Sequence, residues 1–224
     1  MTREEVRARI AEIGIIPAVR VDSESEALFA AEAVSGSGIP IVELTMTTPG
    51  AVGVISHLTR YSSDILVGAG TIFDVETACR CLDAGASFLT SPGLDIEIVD
   101  FAVKRGVAVL PGALTPSEVM AAWKAGADFV KVFPCSANGG PEYIRALKAP
   151  FPHIPLIASG GVTQKNAADF ILAGAAALGI GQHLIHQNAI KRRQREWIHE
   201  LARRYTNMAN EARSRQTARS GLSR

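Results

Sequence analysis

The sequence predicts a single-domain α/β protein, a (β/α)8 barrel of the TIM type with an extra N-terminal helix. Three observations carry this reading. Eight short apolar runs recur along the 224 residues, at 15–21, 39–45, 65–69, 87–89, 107–110, 129–133, 154–158 and 177–180. Their starts lie roughly 19–26 residues apart. The gaps hold Ala-, Glu- and Leu-rich stretches of helical periodicity, such as 24–35, 75–84 and 116–125. Glycines close these stretches at Gly38, Gly85, Gly106, Gly126 and Gly174, the natural place to turn a helix into the next strand. A doubly wound open sheet would show the same alternation. Eight units at this pitch favour a closed barrel.

The two ends differ from the repeating unit. Thr2 and Glu5 form a capping box for a first helix that places Val6, Ile10 and Ile13 on one face. Residues 190–205 read as an amphipathic helix whose basic run, 191–195, is a solvated face. From Ala209 onward large apolar residues almost vanish, so residues 209–224 are expected to be a disordered polar tail. The barrel domain is therefore placed at residues 1–208.

Composition excludes several function classes. The chain is 47% hydrophobic and 20% charged with a net charge of +1, which argues against nucleic acid or a membrane as partner. Cys79, Cys81 and Cys135 are an odd set without framework spacing, which fits a reducing cytoplasm. The charged opening residues do not read as a secretion signal, and no apolar run is long enough to span a bilayer. His183 and His186 lie three apart on an expected helix, but no carboxylate or cysteine completes a metal set. No metal and no cofactor is expected.

Barrel chemistry sits at the C-terminal ends of the strands. Alternation along the sixth strand puts Val130 and Val132 toward the helices and Phe129, Lys131 and Phe133 inside. Burial disfavours an ammonium and so favours the neutral amine, a nucleophile toward carbonyls. The same alternation turns Ile41, Glu43 and Thr45 inward on the second strand. An inward glutamate beside an inward lysine is a general acid/base candidate, or else a purely structural ion pair. Glycine pairs follow the seventh and eighth strands, at Gly160–Gly161 and Gly179–Gly181, where barrels commonly bind phosphate. Ser159 adds a hydroxyl there, and Cys135 lies just past the sixth strand.

The segments VELT at 42–45, VGAGT at 67–71, SPG at 91–93, LPG at 110–112, KVFP at 131–134 and SGG at 159–161 resemble the 2-keto-3-deoxy-6-phosphogluconate (KDPG) and 4-hydroxy-2-oxoglutarate (KHG) aldolases. The likeness spans roughly residues 8–188. It implies a metal-free, homotrimeric class I aldolase that splits a small keto acid into pyruvate and an aldehyde, here glyceraldehyde 3-phosphate. By this resemblance Lys131 forms the Schiff base and Glu43 shuttles protons. Thr71 holds the substrate carboxylate, Pro92 and Phe133 shape the pocket, and Gly160 and Gly161 bind the distal phosphate.

Two positions depart from the family pattern. Many members carry an arginine where this chain has Thr47, which leaves Arg20, at the end of the first strand, as the cation for the carboxylate. Many also place a serine after the eighth-strand glycines, where this chain reads Gln182-His183. That opens the way to KHG or 2-keto-3-deoxy-6-phosphogalactonate as substrate. A phosphate-binding isomerase or synthase, with Lys131 acting only as a charge, is the competing enzyme. A non-catalytic sugar-acid sensor is the competing binder.

Overall fold

The structure, a computed structural model, describes residues 1–62 and 64–221. The chain runs α1 (Arg3–Ile13), β1 (Ile15–Val19), α2 (Glu24–Ser35), β2 (Ile41–Thr45), α3 (Ala51–Tyr61), β3 (Leu66–Gly70), α4 (Val75–Asp83) and β4 (Phe88–Thr90). It continues through α5 (Ile96–Lys104), β5 (Ala108–Leu110), β6 (Gly112–Ala113), α6 (Pro116–Lys124), β7 (Val130–Val132) and α7 (Gly140–Lys148). Then come β8 (Leu156–Ser159), α8 (Ala167–Leu172), β9 (Ala175–Ile180), α9 (Gln187–Lys191) and α10 (Arg195–Gly221).

The paired strands are parallel and follow the order β5-β4-β3-β2-β1-β9-β8-β7-β6. The two ends of that order, β5 and β6, are halves of one strand, interrupted at Pro111. Backbone bonds from β7 join both halves: Asp128 N to Val109 O (3.0 Å), Lys131 N to Pro111 O (2.9 Å) and Phe133 N to Ala113 O (3.1 Å). The sheet therefore closes into a barrel, and the open doubly wound alternative falls away.

Local sequence explains the elements. Thr2 and Glu5 form the expected capping box of α1, and Thr115 and Glu118 form another at α6. Ser23, Asp74 and Asp95 cap α2, α4 and α5 with their side chains. Gly85, at the end of α4, has φ 102°, and Gly174, at the end of α8, has φ 105°. A residue with a Cβ is strained in that left-handed turn.

α1 packs against β1, β5 and β9 and so closes the N-terminal end of the barrel. One ion pair fixes it. The buried Asp128 carboxylate accepts from Arg3 Nε at 2.9 Å and from the Val109 N–H at 2.9 Å. Arg3 also donates to the Gly126 carbonyl.

The C-terminal segment corrects two expectations. The helix expected over 190–205 breaks at residues 192–194, where Arg193 has φ 53°. Its guanidinium lies 4.9 Å from the Phe29 ring centroid and bonds Ser25, so part of the basic run docks on α2 instead of facing only solvent. The tail expected to be disordered from Ala209 is helical through Gly221. Ala209 and Ala212 are buried, and Arg213 donates to the carbonyls of Ala11 (2.8 Å), Glu12 (2.6 Å) and Ala176 (3.1 Å). Small residues and one long arginine stem bury this helix, which a search for large apolar residues misses. Residues 222–224 of that expected tail lie outside the described residues.

Replacing Asp128 by Ala strands the Arg3 cation and the Val109 N–H at the barrel seam. The expected loss is about 3 kcal/mol of unfolding free energy in urea melts. A loss under about 0.5 kcal/mol would show that the seam does not depend on this carboxylate.

Candidate active site

β2 and β7 each bring one ionisable side chain into the barrel mouth. Val42 and Leu44 pack outward against the helices, so Glu43 turns inward, as alternation requires. Val130 and Val132 do the same for Lys131. Lys131 Nζ lies 3.6 Å from Glu43 Oε1, with side-chain exposures of only 11% and 4%. Nζ also lies 5.8 Å from the Phe133 ring centroid. A buried amine and a buried carboxyl are each costly without a polar partner, and here each faces the other.

Glycines make room for this pair. A Cβ on Gly70 would sit 2.0 Å from Glu43 Oε1, and one on Gly112 would sit 2.2 Å from the Pro92 carbonyl oxygen. Gly112 is the residue paired with Lys131 across the sheet.

The pair opens into a cavity of about 560 Å³ at the C-terminal ends of the strands. Of the residues singled out from sequence, Arg20, Glu43, Lys131, Phe133, Ser159, Gly160, Gly161 and Gly181 all line it. Gly160 and Gly161 have φ 84° and 85°. A Cβ on Gly161 would meet Ser136 Cβ at 2.5 Å, so the backbone there stays bare. Thr71 and Pro92 do not line the cavity. Thr71 adjoins it, with φ 62° and its hydroxyl 3.4 Å from Arg20 Nη2, which donates to it. Pro92 lies in a separate shallow depression with Ile72, Phe73 and Leu94, and its carbonyl backs Gly112.

Several lining residues were not singled out. Thr45 was legible from alternation, and it donates to Val19 O at 2.9 Å. Asp22, in the loop after β1, and Gln187, the first residue of α9, carry no local signal. They meet at the rim, where Gln187 Nε2 donates to Asp22 Oδ2 at 3.3 Å and Lys191 pairs with the same oxygen at 3.3 Å. His183 lies at the mouth in the turn before α9, not on a helix as expected, and His186 caps α9 and stacks on Trp197 at 4.8 Å. Among the described residues no cluster of His, Cys, Asp and Glu could hold a metal. Cys135 is buried away from the cavity, and burial pushes its thiol up to about 12, so it is protonated at neutral pH.

A cavity of about 630 Å³ between α1 and α10 is larger but lies at the opposite end of the barrel, lined by Glu5, Arg9, Glu12 and Thr206 among others. Convergence of buried ionisable groups, not volume, marks the catalytic end.

An amine facing a carboxylate, both largely buried at a barrel mouth, is the equipment of a class I aldolase, which works through a lysine imine. Known proteins agree. The sequence profile of the KDPG and KHG aldolases matches residues 6–201. The 2-dehydro-3-deoxy-phosphogluconate aldolase of Pseudomonas aeruginosa is 35% identical over 160 residues, 71% of this chain and 73% of that one. The 2-dehydro-3-deoxy-6-phosphogalactonate aldolase of Escherichia coli K12 is 36% identical over 172 residues, 76% of this chain and 83% of that one. The KDPG aldolase of Legionella pneumophila, solved with pyruvate captured as a covalent carbinolamine, superposes with a TM-score of 0.82 at 31% identity, covering 88% of this chain and 96% of that one. This chain belongs to the KDPG and KHG aldolase family, whose members are carbon–carbon lyases.

A methyl group at position 70 should push the Glu43 carboxylate off Lys131 without disturbing the sheet. Gly70→Ala is expected to fold, with a melting temperature within a few degrees of wild type, and to lose at least about ten-fold in aldol cleavage rate. Retention of full activity would mean that the pair tolerates displacement.

Proposed function

We propose that the protein cleaves 2-keto-3-deoxy-6-phosphogluconate reversibly to pyruvate and glyceraldehyde 3-phosphate, with Lys131 as the Schiff-base residue. The observation that carries this is the buried Lys131–Glu43 pair at 3.6 Å. The neutral amine attacks the C2 keto carbon, and loss of water gives an iminium. The C3–C4 bond then breaks with its electrons flowing into the iminium, leaving an enamine. Glu43 takes the C4 hydroxyl proton as the aldehyde departs, and returns a proton to C3. Hydrolysis of the imine releases pyruvate and the free amine.

Arg20, with the Thr71 hydroxyl beside it, is the carboxylate-binding pair in this reading. Phe133 flanks the amine, and Pro92 supports the wall behind Gly112. Ser159, Gly160, Gly161 and Gly181 face the distal end of the substrate, where backbone N–H groups suit a phosphate. Gln182 at that end favours a second reading, a shorter, unphosphorylated 4-hydroxy-2-keto acid such as 4-hydroxy-2-oxoglutarate. Three free cysteines suit a reducing cytoplasm. Among the described residues no helix is long and apolar enough to cross a membrane.

Incubation with pyruvate and borohydride, followed by peptide mass spectrometry, tests the core of this reading. Wild type should carry a pyruvate adduct on Lys131, and Lys131→Ala should carry none. Glu43→Gln should still trap pyruvate but lose at least about a hundred-fold in turnover. Absence of an adduct on folded wild type would overturn the Schiff-base mechanism in favour of the isomerase or synthase. A panel of phosphorylated and unphosphorylated substrates then separates the two readings of the distal end.

We further propose a homotrimer. Exposed Phe73 and Ile96, at 67% and 43%, border the apolar depression around Pro92 and Leu94, a surface that suits burial against another subunit. Light scattering should give three times the chain mass for wild type and a smaller species for Phe73→Asp. A monomeric wild type would refute the trimer.

A further inference from the structure

Among the described residues, three buried side-chain polar atoms lack a partner: Thr90 Oγ1, His186 Nδ1 and His199 Nε2. The histidines belong to the α9–α10 end of the molecule. Thr90 belongs to the barrel, at the C-terminal end of β4, and is 2% exposed. A buried hydroxyl without a partner costs stability, so its presence needs a reason.

Its direction follows from the strands. Gly68 pairs with Glu43 on one side and with Phe88 on the other. A Cβ on Gly68 would strike the Phe88 ring at 2.2 Å, so that ring occupies the inner face, the face of Glu43. Leu89 then faces out and Thr90 faces in. The register places Thr90 opposite Gly70, and Ile72 N donates to Thr90 O at 3.2 Å beside it. The space over Gly70 is filled by the Glu43 carboxylate. Directly opposed residues on neighbouring strands have Cβ positions about 5 Å apart. The carboxylate and the Thr90 hydroxyl are thus neighbours on one wall.

That wall joins the ion pair. From Glu43 to Lys131 by way of β3, β4, β5 and β6, the inner positions along the wall are Gly70, Thr90, Leu110 and Gly112. Two are glycines and one is a leucine, so Thr90 supplies the one side-chain donor on the arc. Of the nearby threonines, Thr45 already donates to Val19 O, and Thr71 lies toward Arg20, from which it accepts. Thr90 Oγ1 is out of reach of solvent, so any partner it gains is protein or ligand.

Resting on the Schiff-base reading above, we propose that Thr90 is a positioning residue for Glu43 during turnover. In the free protein Lys131 Nζ, a group with up to three N–H donors, faces the carboxylate at 3.6 Å. Once condensed with the keto carbon, the same nitrogen keeps a single N–H. The Glu43 carboxyl loses donors when it must be aimed at the C4 hydroxyl and then at C3. The Thr90 hydroxyl takes over, donating to the carboxylate and accepting from the protonated carboxyl, since a hydroxyl does both. It makes no bond to the reacting atoms.

Thr90→Val keeps the shape and removes the hydroxyl, and Thr90→Ser keeps the hydroxyl. Each is compared with wild type in three measurements: melting temperature, borohydride trapping of pyruvate on Lys131, and exchange of the pyruvate methyl protons in deuterium oxide by NMR. The exchange reads proton transfer at C3. Thr90→Val should melt at or above the wild-type temperature, because the resting hydroxyl is unpartnered. It should trap pyruvate as wild type does, yet exchange protons about 10- to 100-fold more slowly, the rate equivalent of one hydrogen bond to a charged group. Thr90→Ser should recover to within about three-fold of wild type. Wild-type exchange in Thr90→Val, equal slowing in Thr90→Ser, or a large loss of melting temperature in Thr90→Val would each overturn the proposal. If wild type traps no pyruvate, the Schiff-base reading fails first and this inference falls with it.

Discussion

A buried glutamate and a buried lysine avoid standing without polar partners by facing each other, and the Glu43–Lys131 contact at 3.6 Å is the constraint to which the surrounding wall conforms. Three inner positions near it are glycine for a steric reason. The Phe88 ring fills the space at Gly68, the Glu43 carboxyl fills it at Gly70, and the Pro92 carbonyl fills it at Gly112. Large side chains there would separate the pair or pry β3 and β6 from their neighbours. The wall is thus built around two charges, and its missing side chains are as informative as those present.

The opposite end of the barrel supplies the rigidity this arrangement needs. Asp128 stands three residues before Lys131 and ties α1, through Arg3, to the seam where β7 meets both halves of the fifth barrel strand. α10 adds a second clasp, with Arg213 holding the carbonyl end of α1 and the start of β9. Floor and mouth share strands, so hydrogen bonds at one end help to hold the strand that carries the lysine at the other.

The mouth divides by chemistry. The β2–β7 wall carries the amine and the carboxylate, Arg20 and Thr71 form a polar corner, and the turn through Gly160 and Gly161 presents bare backbone. The rim made by Asp22, Gln182 and His183 comes from connecting segments, and Gln187 joins it from the start of α9. Such segments vary most readily on a fixed scaffold.

The amino-acid sequence by itself determined the alternation of strand and helix, the glycine punctuation, and the inward direction of Glu43, Thr45, Lys131 and Phe133, because period-2 and period-3.6 patterns are local properties of the chain. The capping box at Thr2 and Glu5 was legible for the same reason. Only the tertiary structure decided that the strand order closes on itself at Pro111, that Asp22 and Gln187 meet across the rim, that Pro92 backs the wall while standing outside the cavity, and that the segment after Ala209 is a packed helix. The same holds for the hydroxyl of Thr90, an unremarkable threonine in sequence that becomes an unpartnered group beside Glu43. Each of these depends on contacts between residues far apart in the chain, and spacing along a sequence carries no record of which distant surfaces come to touch.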